Sequence, residues 1–286
     1  MSDLAAPSSA GIAATTSAST DVVGRACPQC DLDAPRDLPR YERDGWRIAE
    51  CSQCRFVYMP RVPSPDRLSD ELAWEKQHAK ETKRRRKVSP LMSRLDEKTR
   101  WRLKLFKTSD ATLFRRLFPH GRVLDVGCGG GNRIPEPFTP YGIEISSALA
   151  ARSKAQKQAR GGDVVEASAV DGIRRFEAGS FSGVVLRSFL EHEAEPQKVL
   201  DGTAQVLAPS GCVYVKVPNF GSVNRRVMGR KWCGIRLPDH VNYFTPSSLR
   251  QMVERAGFKI GLLNRWNLPL DDDIHAVLRF ASADER

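Results

Sequence analysis

The stretch that decides the fold of this chain is VLDVGCGGG, residues 123–131. A short apolar run that carries one acid, Asp125, breaks at Gly127 into a glycine-rich turn. Glycine allows backbone conformations that are closed to other residues, and it places no side chain between the backbone and a ligand. The stretch therefore predicts a buried strand that runs into a tight turn against a bound molecule. The alternative is an ordinary glycine-rich turn.

Nucleotide-type ligands commonly occupy such a turn. The dinucleotide pattern G-x-G-x-x-G is not met, because its third glycine position is Asn132. The next predicted strand ends near Glu144, seventeen residues after Gly127. A carboxylate there can accept hydrogen bonds from both hydroxyls of a ribose. The pattern thus favours a ribose-containing ligand other than a dinucleotide, with a solvated acid at the end of the strand as the alternative.

Strands and helices alternate along the rest of this half of the chain. The pattern predicts helices at 147–159, 196–207 and 245–256, and strands at 122–126, 141–145, 163–167, 181–187, 212–217, 258–263 and 274–280. Residues 208–211 read as a turn. Three prolines in 131–140 predict an irregular crossover, or a helix of about one turn, where a first helix is usual. The fold class is therefore α/β, with a doubly wound, mainly parallel, Rossmann-like sheet of seven strands.

The cysteines fall into a second pattern. Four of the seven form two C-x2-C pairs: Cys27 with Cys30, and Cys51 with Cys54. In a reducing compartment such pairs favour metal over disulfides, and four thiolates suit one tetrahedral, structural Zn²⁺. The sequence predicts a zinc ribbon with two short strands in the segment between the cysteine pairs, which includes 41–49, and a further strand in 55–58. So small a unit takes its folding energy from the metal.

Charge and composition limit the partners. The net charge is +11. Segment 80–107 carries twelve Lys or Arg against three acids, and segment 225–236 has five basic residues and no acid. Such clusters suggest an anionic partner such as RNA, a phosphorylated substrate or a membrane surface, or else solvated helix faces. No apolar run approaches the roughly 20 residues of a membrane span, and the N-terminus lacks the pattern of a secretory signal. A cytoplasmic protein is expected.

The domain organisation follows from these signals. We predict a disordered tail at 1–22, the zinc ribbon at 23–60, a helical linker or cap at 61–119 and the α/β domain at 120–286. Within the linker, helices are expected at 66–87, 91–106 and 111–118. Residues 218–245 form a long insert after the fifth strand of the domain.

Taken together, these pieces resemble class I S-adenosylmethionine (SAM) dependent methyltransferases, in the bacterial subgroup that carries an N-terminal zinc ribbon. The resemblance covers residues 27–280. It rests on the two cysteine pairs, VLDVGCGGG, FLEHEAEP at 189–196, and VPNFGSVNRRVMGRKWCGIRLPDHVNYFTPSSL at 217–249. Two departures are the proline-rich 131–140 stretch and Ser182, which stands where the family usually has an acid. The resemblance implies SAM as cofactor, bound by Asp125, Gly127, Cys128, Gly129, Glu144, Ile145, Ser168, Ala169 and Arg187.

Candidate acceptor-side residues follow the fourth and fifth strands, because ligands bind beyond the carboxyl ends of such strands. His192 lies between two glutamates, whereas His240 and Tyr243 lie in the insert, with Asn219 at its start. Histidine is the usual general base near neutral pH. We therefore predict catalytic roles for His192, His240 and Tyr243, with structural roles as the alternative. A carbon or amine acceptor needs no base.

Three hypotheses stay open for what this chain methylates or binds. The first is a small biosynthetic intermediate, of a sugar or secondary-metabolite type, with the insert as its lid and basic residues that can hold a phosphate or nucleotide group. The second is RNA, bound by the ribbon and the basic segment 83–87. The third is a non-catalytic zinc-ribbon adaptor that binds SAM as a sensor or stabiliser. The methylated atom and the oligomeric state are left open.

Overall fold

The computed structural model describes residues 22–64 and 109–281. The predicted tail up to residue 21, the helices at 66–87 and 91–106, and the basic segment 80–107 lie outside these ranges. Among the described helices, none combines the length and the apolar character that crossing a bilayer requires.

The main sheet has seven strands, as predicted. Its elements in chain order are α1 (Asp110–Leu117), β6 (Arg122–Val126), β7 (Thr139–Glu144), α2 (Ser147–Gln158), β8 (Asp163–Glu166), α3 (Ala169–Ile173), β9 (Phe181–Arg187), α4 (Pro196–Val206), β10 (Leu207–Pro218), α5 (Val223–Met228), α6 (Pro246–Arg255), β12 (Phe258–Leu262) and β13 (Asp273–Phe280). The strand order is β12-β13-β10-β9-β6-β7-β8. Six of the seven strands run in one direction, and β13 runs opposite to them. The carboxyl ends of these six strands therefore share one edge.

One predicted turn in this sheet is wrong. Residues 208–211 lie inside β10, because Leu207 already pairs with Phe181 before the register shifts and pairing resumes at Cys212. The chain stays extended through the bulge. The crossover after β6 is irregular, as the prolines predict, and contains no helix between residues 127 and 138.

The N-terminal unit supplies five short strands: β1 (Val22–Gly24), β2 (Pro35–Asp37), β3 (Ala49–Cys51), β4 (Val57–Tyr58) and β5 (Arg61–Pro63). The two short strands predicted between the cysteine pairs are present as β2 and β3. Between them, Pro39 begins a 3-10 helix (Pro39–Tyr41), and a tight turn with positive φ at Asp44 and Gly45 follows. The strands flank this turn on both sides.

The ribbon sheet is completed by the insert. Strand β11 (Asn242–Tyr243) pairs antiparallel with β4, which gives a four-stranded sheet in the order β11-β4-β3-β2. Ribbon side chains such as Met59 and insert side chains such as Trp232 share one buried apolar cluster. The ribbon and the insert are therefore packed as one body against the carboxyl edge of the main sheet.

Candidate active site and metal centre

The glycine turn at the end of β6 has the geometry that the sequence predicts. Gly127 and Gly129 adopt φ values of +67° and +62°, in the left-handed region that favours glycine. The amides of Gly127 and Cys128 both donate to the Ile143 carbonyl, at 2.9 and 3.1 Å, which ties the turn to β7. A Cβ on Gly129 would meet nothing within 4 Å. The turn therefore borders open space.

Glu144 ends β7 beside this space. Its Oε2 accepts a hydrogen bond from the Gly129 amide at 2.8 Å, and its Oε1 accepts one from the Ser146 amide at 3.0 Å. The carboxylate is thus fixed next to the turn by two backbone donors and retains lone pairs for a diol. The following side chain, Ile145, is 45% exposed and offers an apolar surface to a planar base. These residues fit the ribose and adenine of SAM.

The other predicted cofactor residues lie in different surroundings. Asp125 and Cys128 are buried, and burial raises the pKa of Asp125 to about 6 although Lys157 and Arg133 oppose the shift. Ser168 caps α3 by accepting from the Asp171 amide, and Ala169 is buried in the first turn of that helix. Arg187 forms an ion pair with Asp110 at the start of α1.

The irregular crossover is held by side chains of α2 and of the turn that follows it. They donate to crossover carbonyls: Ser153 to Gly131 at 2.9 Å, Gln156 to Gly130 at 3.2 Å and Arg160 to Phe138 at 2.7 Å. A helix would satisfy such carbonyls internally, and here donors from a neighbouring helix replace those bonds. The buried Lys157 adds a longer contact to Asn132 at 3.5 Å. The glycine turn is thus supported without a first helix.

Replacement of Gly127 by Ala is expected to weaken SAM binding at least about tenfold, or about 1.4 kcal/mol. The new Cβ would lie 2.5 Å from Cδ2 of Phe189, in a left-handed conformation that costs about 1–2 kcal/mol for alanine. Titration calorimetry with SAM measures the effect. Gly161→Ala is the matched control, because Gly161 also has positive φ but its Cβ would meet nothing within 4 Å. Equal SAM affinity in the two variants would contradict the expectation.

The four ribbon cysteines converge. Their sulfur atoms all lie within 4.8 Å of one another, and the Cys27–Cys54 and Cys30–Cys51 pairs are 3.5 Å apart. Tetrahedral Zn²⁺ with bonds of about 2.3 Å requires sulfur atoms roughly 3.8 Å apart. The four thiols therefore fit one zinc ion.

The two cysteine pairs also share one backbone geometry. In each pair, the backbone amide of the residue that follows the second cysteine donates to the carbonyl of the first cysteine. The two hydrogen bonds run from Asp31 to Cys27 and from Arg55 to Cys51. Asp31 and Arg55 both have positive φ, at 58° and 64°. Two loops with the same strained turn direct their thiols to a common point, as two zinc knuckles do.

Arg25 and Asn242 connect the ribbon to the turn after β9. The buried guanidinium of Arg25 donates to the carbonyls of Met59, Ala194 and Val241 and to Oδ1 of Asn242, at 2.6–3.0 Å. The Asn242 amide in turn donates to the carbonyls of Leu190 and Glu193 at 2.7 and 2.6 Å. The ribbon thus fixes the backbone of the FLEHEAEP turn. Sequence reasoning missed both residues, since nothing local marks them.

The FLEHEAEP turn presents a buried acid at the carboxyl edge of the sheet. It begins at Ser188, which has an unusual φ of +49°, and Glu191 beyond it is only 2% exposed. Glu191 Oε2 has no hydrogen-bond partner among the described residues. Burial raises the pKa of Glu191 to about 7, although His192 opposes the shift. Sequence reasoning treated Glu191 only as a neighbour of His192.

His192 lies between two acids. Its Nδ1 is 3.0 Å from Oδ1 of Asp239, and its Nε2 is 4.0 Å from Oε1 of Glu191. Burial alone would lower the pKa of His192, but the Asp239 carboxylate and Glu191 outweigh it and raise the pKa to about 9. The imidazole is therefore charged at neutral pH. The same contact, against the cost of burial, holds the pKa of Asp239 well below its usual range.

His240 and Tyr243 are buried beside this pair. The His240 ring meets the His192 ring edge-on with centroids 4.7 Å apart, and its Nδ1 contacts the Gly234 carbonyl at 2.9 Å. Burial and the charge on His192 hold the pKa of His240 well below its usual range. The Tyr243 hydroxyl donates to the His240 carbonyl at 2.8 Å. The structure thus brings His192 and His240 together. The Tyr243 hydroxyl is engaged in a hydrogen bond within the protein.

The insert is anchored to the main sheet by Asp272. Its carboxylate accepts from the Trp232 indole at 2.6 Å, from Asn224 at 2.7 Å and from the Ser222 hydroxyl at 3.2 Å. Asn219 adds a bond from its amide nitrogen to the Leu268 carbonyl at 2.8 Å. The insert is therefore a packed cover over the carboxyl edge of β10, which fits the lid that the sequence predicts.

Comparisons with known proteins bear on this site. A family profile described as "Methyltransferase domain" matches residues 97–262, more than half of the chain. A ubiquinone biosynthesis O-methyltransferase from Burkholderia pseudomallei is 26% identical over 186 residues, which cover 56% of this chain and 78% of that protein. The protein of the same name from Psychrobacter arcticus is 30% identical over 152 residues, which cover 48% of this chain and 58% of that protein.

Among solved structures, a SAM-dependent methyltransferase from Archaeoglobus fulgidus is 17% identical, with a TM-score of 0.45, and the match covers 58% of this chain and 91% of that one. The profile match spans the glycine turn, Glu144 and the FLEHEAEP turn. The chain therefore belongs to the class I SAM-dependent methyltransferases.

Proposed function

We propose that this methyltransferase acts on the hydroxyl group of a small molecule and that Glu191 is the general base. The observation that carries the proposal is the buried Glu191 carboxylate, whose Oε2 has no partner among the described residues at the carboxyl edge of the sheet. Ligands bind at this edge in doubly wound sheets. An enzyme that deprotonates a hydroxyl near neutral pH needs a base with a pKa near 7, and burial gives Glu191 such a pKa.

The chemistry divides between the cofactor and the chain. When bound, SAM supplies a methyl group on a positively charged sulfur, which leaves as a neutral thioether. The chain binds the cofactor through the glycine turn and Glu144, and it fixes the acceptor oxygen in line with the methyl group. With SAM and a hydroxyl acceptor bound, Glu191 would take the hydroxyl proton as the methyl group is transferred.

His192 then acts as a positioning residue. The charged imidazole, held by Asp239, lies 4.0 Å from the Glu191 carboxyl and restrains its pKa from rising further. The catalytic roles predicted for His192, His240 and Tyr243 remain predictions. Their contacts favour support of Glu191, since His192 already holds a proton at neutral pH and the Tyr243 hydroxyl is engaged with the backbone.

The relatives support an oxygen acceptor. Both curated proteins described above are named as O-methyltransferases of ubiquinone biosynthesis. We carry over only the reaction class, methylation of a hydroxyl on a small molecule. The insert supports this class, because it forms a packed cover over the acceptor edge.

We further propose that the cysteine cluster holds a structural Zn²⁺. All four ligands come from the protein, so the site has no open position for catalysis. The bridges from Arg25 and Asn242 support a role for the ribbon in holding the turn that carries Glu191.

The proposal is tested by transfer of a deuterated methyl group from labelled SAM to a panel of phenols, catechols, sugars and amines, read by mass spectrometry. We expect label on hydroxyl compounds only, with a rate that rises as pH passes about 7 and Glu191 loses its proton. Label on amines alone, or on bulk RNA in place of small molecules, would overturn the proposed acceptor class.

A further inference from the structure

An exposed apolar patch lies on the outer side of the insert. Val223 and Val227 are one turn apart on α5 and are 41% and 74% exposed. Trp266 and Leu270, in the loop between β12 and β13, are 85% and 73% exposed. The Asp271 amide donates to the Asn267 carbonyl, so this loop turns like a helix and places Trp266 and Leu270 on one side.

The two halves of the patch are adjacent. The amide of Val223 donates to the carbonyl of Pro269 at 2.7 Å, which brings the start of α5 against the loop just before Leu270. Asp272 lies two residues after Leu270 in the same loop, and its carboxylate accepts hydrogen bonds from three side chains of the insert. The four exposed apolar side chains thus stand on two segments that are hydrogen-bonded to each other, and we treat them as one surface, the insert patch (Val223, Val227, Trp266 and Leu270).

Cations border the insert patch. Arg226, Arg230, Lys231 and Arg265 are exposed, and none has an acidic partner among the ion pairs of the described residues. Segment 218–238 contains no acid. The Arg265 guanidinium lies 4.4 Å above the Trp266 ring, so cation and aromatic are presented together. Three acids, Asp271–Asp273, follow Leu270, but they are half-buried and their carboxylates bind Asn264, Trp232 and Lys216. The exposed charges next to the apolar side chains are therefore those of the cations.

We propose that the insert patch docks onto the surface of an anionic lipid bilayer. Exposed aliphatic side chains and tryptophan gain free energy by entering the region between headgroups and acyl chains, and a surrounding set of Lys and Arg is attracted to anionic headgroups. A nucleic acid satisfies the cations but offers Val227 and Leu270 nothing apolar. Lipid matches both parts of the surface, and the charge complementarity commits the patch to an anionic one.

The position of the patch determines which edge of the main sheet docking would bring close to the bilayer. Pro218 at the end of β10 pairs with Asp273, so the insert and the neighbouring loop both leave the main sheet at the edge where the acceptor binds. A protein docked through the patch would hold its acceptor edge close to the bilayer. The docking is a separate property from the reaction, and it can be measured without any acceptor.

Co-sedimentation with vesicles tests the proposal. We expect the full-length protein to sediment with vesicles of equal parts phosphatidylcholine and phosphatidylglycerol, but not with phosphatidylcholine alone, and to be released by high salt. Arg226→Gln with Arg230→Gln should weaken the partitioning about fivefold for each cation removed. The matched control, Arg61→Gln with Arg116→Gln, removes two exposed cations from other surfaces and should leave it unchanged.

Trp266 provides a second readout that is independent of charge. Trp266→Phe should still sediment with anionic vesicles but should lose the blue shift of tryptophan emission that vesicles cause in the wild type. Val227→Ser with Leu270→Ser should abolish sedimentation, with an unchanged thermal midpoint to show that the fold is intact. The proposal is overturned if the wild type ignores anionic vesicles at low salt, if both charge variants behave alike, or if only RNA or another protein binds the patch.

Discussion

The Glu191→Gln variant is expected to lose about 10²- to 10⁴-fold in kcat, the usual contribution of a general base. Gln keeps the size of the side chain but cannot accept the proton. Because Gln has the size of Glu and the hydrogen bonds that hold the glycine turn and Glu144 do not involve Glu191, SAM affinity should stay within about twofold. The pH profile adds a signature: the rise in rate through about pH 7 in the wild type should be absent from the variant.

Stability separates this role from a structural one. The folded state holds the Glu191 proton more tightly than the unfolded chain, with a pKa of about 7 against 4.5. This carboxyl therefore favours folding at low pH, and that contribution is lost as pH rises from about 4.5 to 7. At pH 8 the variant should be at least as stable as the wild type while nearly inactive. Glu195→Gln, which removes an exposed carboxylate paired with Lys198, is the control with normal activity. An active Glu191→Gln enzyme would refute the assignment.

The second large effect is expected for Cys51→Ser. Loss of one of four thiolates should abolish stoichiometric zinc, and structural zinc in isolated zinc-finger peptides contributes about 10–16 kcal/mol of apparent binding free energy. The ribbon shares a buried cluster and a β-sheet with the insert, so loss of zinc should lower the stability of the whole domain. A fall of about 10 °C in the thermal midpoint is expected. Elemental analysis and differential scanning calorimetry measure the two effects.

Hydrogen exchange shows whether the damage reaches the active site. In Cys51→Ser, the amides of Val241 and Asn242, which donate to the Glu191 carbonyl at 2.7 and 3.1 Å, should exchange faster than in the wild type. Cys212→Ser is the control, because Cys212 lies in β10, outside the ribbon, and its sulfur donates a hydrogen bond to the Leu117 carbonyl that serine can also make. Unchanged zinc content would refute the ribbon site. Zinc loss with unchanged exchange at Val241 would refute the coupling.

The elements that local chemistry specifies are those that the sequence predicts well. The apolar run before Gly127 and the glycines after it predict β6 and its turn, because the positive φ of Gly127 and Gly129 is a property of the residues themselves. Glu144 follows from strand spacing, and the cysteine pairs follow from ligand geometry. The prolines of 131–140 correctly predict an irregular crossover. The turn predicted at 208–211 is wrong, because a bulge there keeps the chain extended within β10 and departs from simple periodicity.

What the sequence by itself determined is the reaction class, because the glycine turn, the acid at the end of the next strand and the four cysteines of the ribbon are set by residue type and short spacing. The tertiary structure alone decided how these parts work together. Only it shows that β11 of the insert joins the ribbon sheet, that Arg25 and Asn242 fix the turn after β9, and that Glu191 is buried with a raised pKa. The physical reason is that desolvation and hydrogen bonding between residues up to 217 positions apart depend on packing, which no local pattern encodes.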